Sequence, residues 1–140
     1  MIDPRSIVDP SAVIGDNVSI GPWTIIGPDV VLGDGCNIAS HVVVKGPTVM
    51  GKNNKIFQFA TIGDATPDLK YNDEPTRLVI GNNNTFREGV TIHRGTVQGG
   101  YETRIGDDNL FMAYVHIAHD CVIGNHVVFS NNACVAGHVH

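Results

Sequence analysis

The stretch IGDNVSIGPWTIIGPDVVLGDGCNIASHVVVKGPTVMG (14–51) carries an apolar residue at every sixth position: Ile14, Ile20, Ile26, Leu32, Ile38, Val44 and Met50. The same phase reaches back to Ile2 and Val8 and forward to Ile56 and Ile62. It resumes at Ile80, Phe86 and Ile92, and again from Ile105 through Phe111, Ile117, Ile123 and Phe129 to Val135. A helix repeats near 3.6 residues and a half-buried strand at about two, so neither explains a strict six. Hexapeptide repetition marks a parallel β-helix, in which short strands wind around a triangular core. A β-sandwich of alternating strands would not hold one phase from Ile2 to Ile62.

The residues around each anchor support the same coil. Glycine follows the anchor at Gly15, Gly21, Gly33, Gly51, Gly81 and Gly106, among others, where a Cβ would crowd a corner. Four residues past the anchor come compact or β-branched side chains such as Val18, Thr24, Cys36, Ala60, Val90 and Val115. One large and one small inward position per hexad suit a narrow prism. Asn54, Asn84 and Asn109 fall in the small slot and are expected to make polar contacts there.

The whole chain, residues 1–140, is expected to form one solenoid domain whose core is a line of stacked anchors. A net charge of −5 argues against nucleic acid as a global partner. All nine Lys and Arg residues nevertheless precede Ile105, which allows a locally basic wall for an acidic partner or simply a solvated face. Cys36 and Cys121 take compact inward slots, Cys134 stands apart, and no paired metal or redox spacing appears, as suits a reducing cytoplasm. No signal peptide and no membrane-spanning apolar run is present, so membrane insertion is not expected.

Two excursions interrupt the winding. The first, about Asp64 to Arg77, reads DATPDLKYNDEPTR; continuing by sixes would put Asp68 and Glu74 in the core, so the chain is expected to leave the prism here. Ile80 lies eighteen residues after Ile62, the length of one three-sided coil, which predicts re-entry in register. The second, HRGTVQGGYETR, separates Ile92 from Ile105 by thirteen residues where twelve would keep step, and looks like a smaller excursion. Insertions in a solenoid collect on one face and tend to carry function.

Six of seven histidines lie beyond residue 90. With three hexads per coil, residues eighteen apart stack about 4.8 Å apart. Asp120 and His138 have that spacing, and so do His119 and Gly137. Two imidazoles, a carboxylate and a glycine N–H at one spot suit acyl transfer: a base for a hydroxyl proton, a group to orient it, and a donor for the oxyanion. The competing readings are solvated decoration, with His116 pointing outward ahead of its anchor, and a zinc site. Consecutive His119 and Asp120 project to opposite sides of an ideal strand, so their pairing requires a corner. His116 and His119, three apart in extended chain, are awkward joint ligands for zinc unless a further ligand comes across an interface.

The segments DLKY (68–71), EPTR (74–77), VTIHRGTVQGG (90–100), HIAHDC (116–121) and AGHV (136–139) resemble the UDP-N-acetylglucosamine acyltransferase family of lipid A synthesis, over the length of the chain. The resemblance implies a left-handed parallel β-helix, although the general crossover rule favours the other hand. It implies a homotrimer with sites in clefts between subunits, and transfer of an (R)-3-hydroxyacyl group from acyl-carrier protein to the 3-hydroxyl of UDP-N-acetylglucosamine. His119 matches the general base, Asp120 its orienting carboxylate and Gly137 the oxyanion donor. Asp68, Lys70, His93, His116 and His138 match substrate-binding residues of the cleft. No metal and no cofactor is implied, since the phosphopantetheine arrives on the carrier protein. Family members are longer, with more coils and a helical C-terminal domain, so the chain is expected to be an N-terminal piece, which leaves open whether it is active alone. The alternatives are a relative that acylates a glucosamine amine, a zinc-dependent lyase like the γ-carbonic anhydrases, or a purely structural solenoid.

Overall fold

The computed structural model describes residues 1–65 and 76–140, and every regular element among them is a β-strand of two to four residues. The strands form three parallel sheets, the faces of a triangular prism. The first face holds Ile7–Val8, Ile25–Ile26, Val43–Val44, Thr61–Asp64, Thr91–His93, His116–Ile117 and Cys134–Val135. The second runs from Val13–Ile14 to Val122–Ile123 and the third from Ser19–Ile20 to Val128–Phe129. Where no excursion intervenes, each anchor pairs with the residue eighteen positions on: Ile26 with Val44, Leu32 with Met50, Ile38 with Ile56. This is the left-handed parallel β-helix that the resemblance implied.

The anchors fill the prism axis. Ile38, Val44, Ile62, Phe86, Ile92, Phe111 and Ile117 are all buried, and the compact slot beside them holds Val42, Ala60, Val90 and Val115. The rings of Phe86, Phe111 and Phe129 stack in file, with centroids 4.8 and 5.1 Å apart. The three asparagines form a buried ladder. Asn84 N donates to Asn54 Oδ1 and Asn109 N to Asn84 Oδ1, while the side-chain amides donate to Gly81 O, Gly106 O and Gly124 O. Each of these three side chains thus has partners along the coil axis, Asn109 Oδ1 accepting from Val127 N. Cys36 and Cys121 donate to Gly51 O and Ala136 O, and burial pushes both thiols up.

Corner chemistry divides between two positions. At the glycine after the anchor the next coil comes close: a Cβ on Gly33 would sit 2.5 Å from Gly51 backbone. The left-handed residue falls two positions later, at Asn17, Trp23, Asp29, His41, Asn53, Phe59 and onward to Asp120 and His138, with φ near +60°. Asn and Asp tolerate this region best, and aromatic residues hold it only where the surrounding coil imposes it.

The excursions differ from the sequence reading in one respect. Ile80 pairs with Met50 and Ile105 on the second face, and Ile92 takes the place above Ile62. The first excursion therefore crosses a single corner in eighteen residues where a plain hexad takes six. Its match to one coil length arises because the inserted loop is itself two hexads long. The second crosses the same corner, between the first and second faces, in thirteen residues instead of six, and is the smaller excursion that its length suggested. Both excursions interrupt the winding at a single edge, between the first and second faces.

Candidate active site

That edge also carries His119, Asp120, Gly137 and His138, because Ile117 lies on the first face and Ile123 on the second. Asp120 takes the left-handed corner conformation, φ +62°, and this resolves the difficulty of adjacent residues pointing apart. His119 Nδ1 lies 2.8 Å from Asp120 Oδ2. His138 Nδ1, one coil on, lies 3.8 Å from the same oxygen, and its ring meets that of His119 edge-on at 4.9 Å. The His119 ring rests against Gly137: a Cβ there would fall 2.6 Å from both Cε1 and Nε2. The eighteen-residue arithmetic thus places all four groups together.

His93 and His116 continue the row. His116 and Thr91 are register partners on the outer surface of the first face, and Thr91 Oγ1 lies 2.6 Å from His116 Nδ1. His93 meets His116 edge-on at 4.7 Å and is the register partner of Asp64. Its Nδ1 is buried without a hydrogen-bond partner. Asp68 and Lys70 lie outside the described residues.

Burial is the first cause that pushes both His93 and His116 below the ordinary imidazole value near 6.5, and the neighbouring histidines add to it. Asp64 opposes the shift at His93 and the Thr91 contact opposes it at His116. Both rings are therefore neutral at neutral pH. The unfolded chain binds more protons here than the native one. The stability these two rings contribute is thus complete above pH 6.5 and lost as pH falls below it. Replacing both with Gln should flatten the acid limb of Tm against pH relative to the parent, and parallel curves would contradict this.

The locally basic wall is largely neutralised where it is described. Arg77 and Arg104 share Glu102 at 2.8 and 2.7 Å, Lys45 faces Asp64 at 3.4 Å, and Arg87 and Arg5 pair with Glu88 and Asp3. Arg94 donates to Gly46 O. A groove of about 610 Å³ beside these groups is lined by Ile25, Val43, Thr61, Lys45, Asp64 and Arg94, on the same face as the histidines.

Among the described residues His119, Asp120 and His138 place potential metal-ligand atoms within 4.8 Å of one another. Asp120 Oδ2, however, already accepts from Thr96 Oγ1 at 2.6 Å as well as facing His119 Nδ1, so an ion would have to displace both. The arrangement suits an oriented base better than a metal. His116 is not in this group, in keeping with the awkward spacing noted in the sequence.

Sequence reasoning missed three threonines: Thr91, Thr96 and Thr103, the last accepting from Asp120 N at 2.8 Å. Thr96 and Thr103 belong to the second excursion, whose register brings Thr103 beneath the corner that follows Ile117. Gly137→Ala would drive a methyl into the His119 ring; the ring should shift from Asp120, read as a change in its imidazole 15N signals, with the melting transition little changed. Parental signals in that variant would show that the contact is incidental.

The bacterial transferase hexapeptide family (six repeats) matches residues 11–46 and 102–137, about half of the chain. The acyl-[acyl-carrier-protein]–UDP-N-acetylglucosamine O-acyltransferase of Stutzerimonas stutzeri is 64% identical over 140 residues, covering 100% of this chain and 54% of that protein. The protein of the same name from Saccharophagus degradans is 62% identical over 132 residues, 94% of this chain and 51% of its own. The solved structure of LpxA from Acinetobacter baumannii superposes with a TM-score of 0.98 at 56% identity, covering 99% of this chain and 54% of that one. The chain spans about half the length of the curated relatives it matches. It belongs to the bacterial transferase hexapeptide family, within which it is similar over its whole length to the UDP-N-acetylglucosamine O-acyltransferases.

Proposed function

We propose that this chain supplies the catalytic edge of an acyltransferase that moves a 3-hydroxyacyl group from acyl-carrier protein to the 3-hydroxyl of UDP-N-acetylglucosamine, the first step of lipid A synthesis. The observation that supports it most directly is the His119 ring, held through Nδ1 by Asp120 and laid against the Gly137 backbone of the next coil. A sugar hydroxyl is a poor nucleophile until its proton has an acceptor. His119 Nε2 takes that proton as the oxygen attacks the thioester carbon. The Gly137 N–H stabilises the tetrahedral oxyanion. The carbon–sulfur bond then breaks, and the imidazolium returns its proton to the departing thiolate. His93, His116 and His138 line the approach, with Asp68 and Lys70 as further binding residues.

The names of the relatives support carrier protein and sugar nucleotide as substrates. No resident metal or cofactor is needed for the steps above. We take the working form to be a homotrimer, with the site in a cleft between subunits. Among the described residues no helix is long and apolar enough to cross a membrane, and a cytoplasmic location fits substrates made there. The test is an acylation assay with UDP-N-acetylglucosamine and a series of 3-hydroxyacyl carrier proteins, run on this chain and on a version extended to the relatives' length. Carrier-dependent O-acylation by either supports the proposal. Its absence from both, or activity that chelators remove, rejects it.

A further inference from the structure

The second excursion folds back over Asp120, and this contact gives it a role that the coil itself does not require. Asp120 is almost wholly buried, 1% exposed, yet it carries a carboxylate. Thr96 meets it twice: its backbone N–H donates to Oδ1 at 2.7 Å and its hydroxyl to Oδ2 at 2.6 Å. Thr96 is itself buried, at 2% exposed. The turn around it is tight, with Tyr101 N donating to Thr96 O at 2.8 Å and Gly99 N to Thr96 Oγ1 at 3.1 Å. A side chain at Gly99 would strike the Asp120 carboxylate, its Cβ 2.1 Å from Cγ. Thr103 fixes the other half of Asp120 by accepting its backbone N–H.

The direction of these bonds is determined. A threonine hydroxyl has one proton to give. A carboxylate oxygen only accepts, so the Thr96 hydroxyl gives its proton to Asp120 Oδ2 while Oγ1 accepts from Gly99 N–H. The same oxygen accepts from the imidazole 2.8 Å away, which assigns the hydrogen to His119 Nδ1. In the neutral ring that leaves the lone pair on Nε2, the nitrogen against Gly137.

We propose that Thr96 is a positioning residue that locks His119 in the Nδ1–H tautomer through Asp120, so that Nε2 is the basic nitrogen. This rests on the acyltransferase reading for its consequence in turnover but not for the tautomer itself. Groups that orient a functional histidine through a carboxylate commonly contribute about 10–100-fold to activity, and a wrong tautomer costs more.

The experiment has two readouts. Imidazole 15N and 13C shifts of His119, assigned by comparison with His119→Gln, report the tautomer in this chain without any substrate. Turnover is followed in whichever length of the protein acylates the sugar. Thr96→Val keeps the volume and removes the hydroxyl; Thr96→Ala removes it with less crowding, should valine disturb the coil by far-UV circular dichroism. Both should lose the uniform Nδ1–H signature and lower kcat about 10–100-fold with KM within about twofold. Thr96→Ser should restore the signature and most of the turnover. An unchanged Nδ1–H signature in the folded valine or alanine variant overturns the proposal, and so does unchanged kcat in an active protein. If the tautomer shifts as expected but no length of the protein acylates the sugar, the positioning role stands and the acyltransferase reading falls.

Discussion

Replacing His119 with alanine should lower acyl transfer by about 10²–10⁴-fold, the usual contribution of a positioned general base, while the coil stays folded. The ring sits at an edge of the prism, outside the file of anchors, with 12% of its side chain exposed. Its loss removes one hydrogen bond from Asp120, which keeps both bonds from Thr96. The cost of losing that bond is about 1 kcal/mol. The change should appear in kcat, since the proposed proton acceptor is lost, whereas the neighbouring imidazoles His93, His116 and His138 remain. Steady-state kinetics on the longest active form, with a thermal melt as control, measures both. Turnover near the parent's in a folded His119→Ala protein would remove this histidine from the chemistry.

Phe111→Ala should have the largest effect on stability, about 3–5 kcal/mol for a buried aromatic truncated to a methyl. Phe111 is fully buried and lies between the rings of Phe86 and Phe129. Removing it leaves a void that neither neighbour can fill, because each is held in its own coil by backbone ladders. A solenoid makes only nearest-neighbour contacts, so the loss should centre on the coils of Phe86 and Phe129 rather than spread along the prism. Denaturant midpoints, with hydrogen exchange resolved by coil, provide the measurement. Val128, an outward neighbour that is 64% exposed, is the control; Val128→Ala should stay within about 0.5 kcal/mol. Equal effects at the two positions would mean that the stacked rings are not the core.

The four catalytic candidates were legible because a coil of constant length converts sequence distance into spatial distance. Asp120 with His138, and His119 with Gly137, needed only the eighteen-residue repeat. The same rule misled at the first excursion, where eighteen residues from Ile62 to Ile80 looked like a full turn. A loop length and a coil length are indistinguishable as numbers, and only the pairing of Ile80 with Met50 separates them. The threonines that hold Asp120 stayed hidden for a related reason. Thr96 lies in an irregular turn, whose path the hexad does not govern, so nothing in its spacing points to a carboxylate twenty-four positions away.

The amino-acid sequence alone determined the triangular coil, its inward residues and the meeting of two histidines, a carboxylate and a glycine on successive turns, because period fixes stacking whenever strands are short and anchors are buried. The tertiary structure alone decided that both excursions interrupt the winding at the same edge, that Asp120 turns back toward His119 through a left-handed corner, and that Thr96 gives two hydrogen bonds to the Asp120 carboxylate. Those features depend on the path of irregular backbone and on the direction of individual hydrogen bonds, and neither is encoded in a repeat.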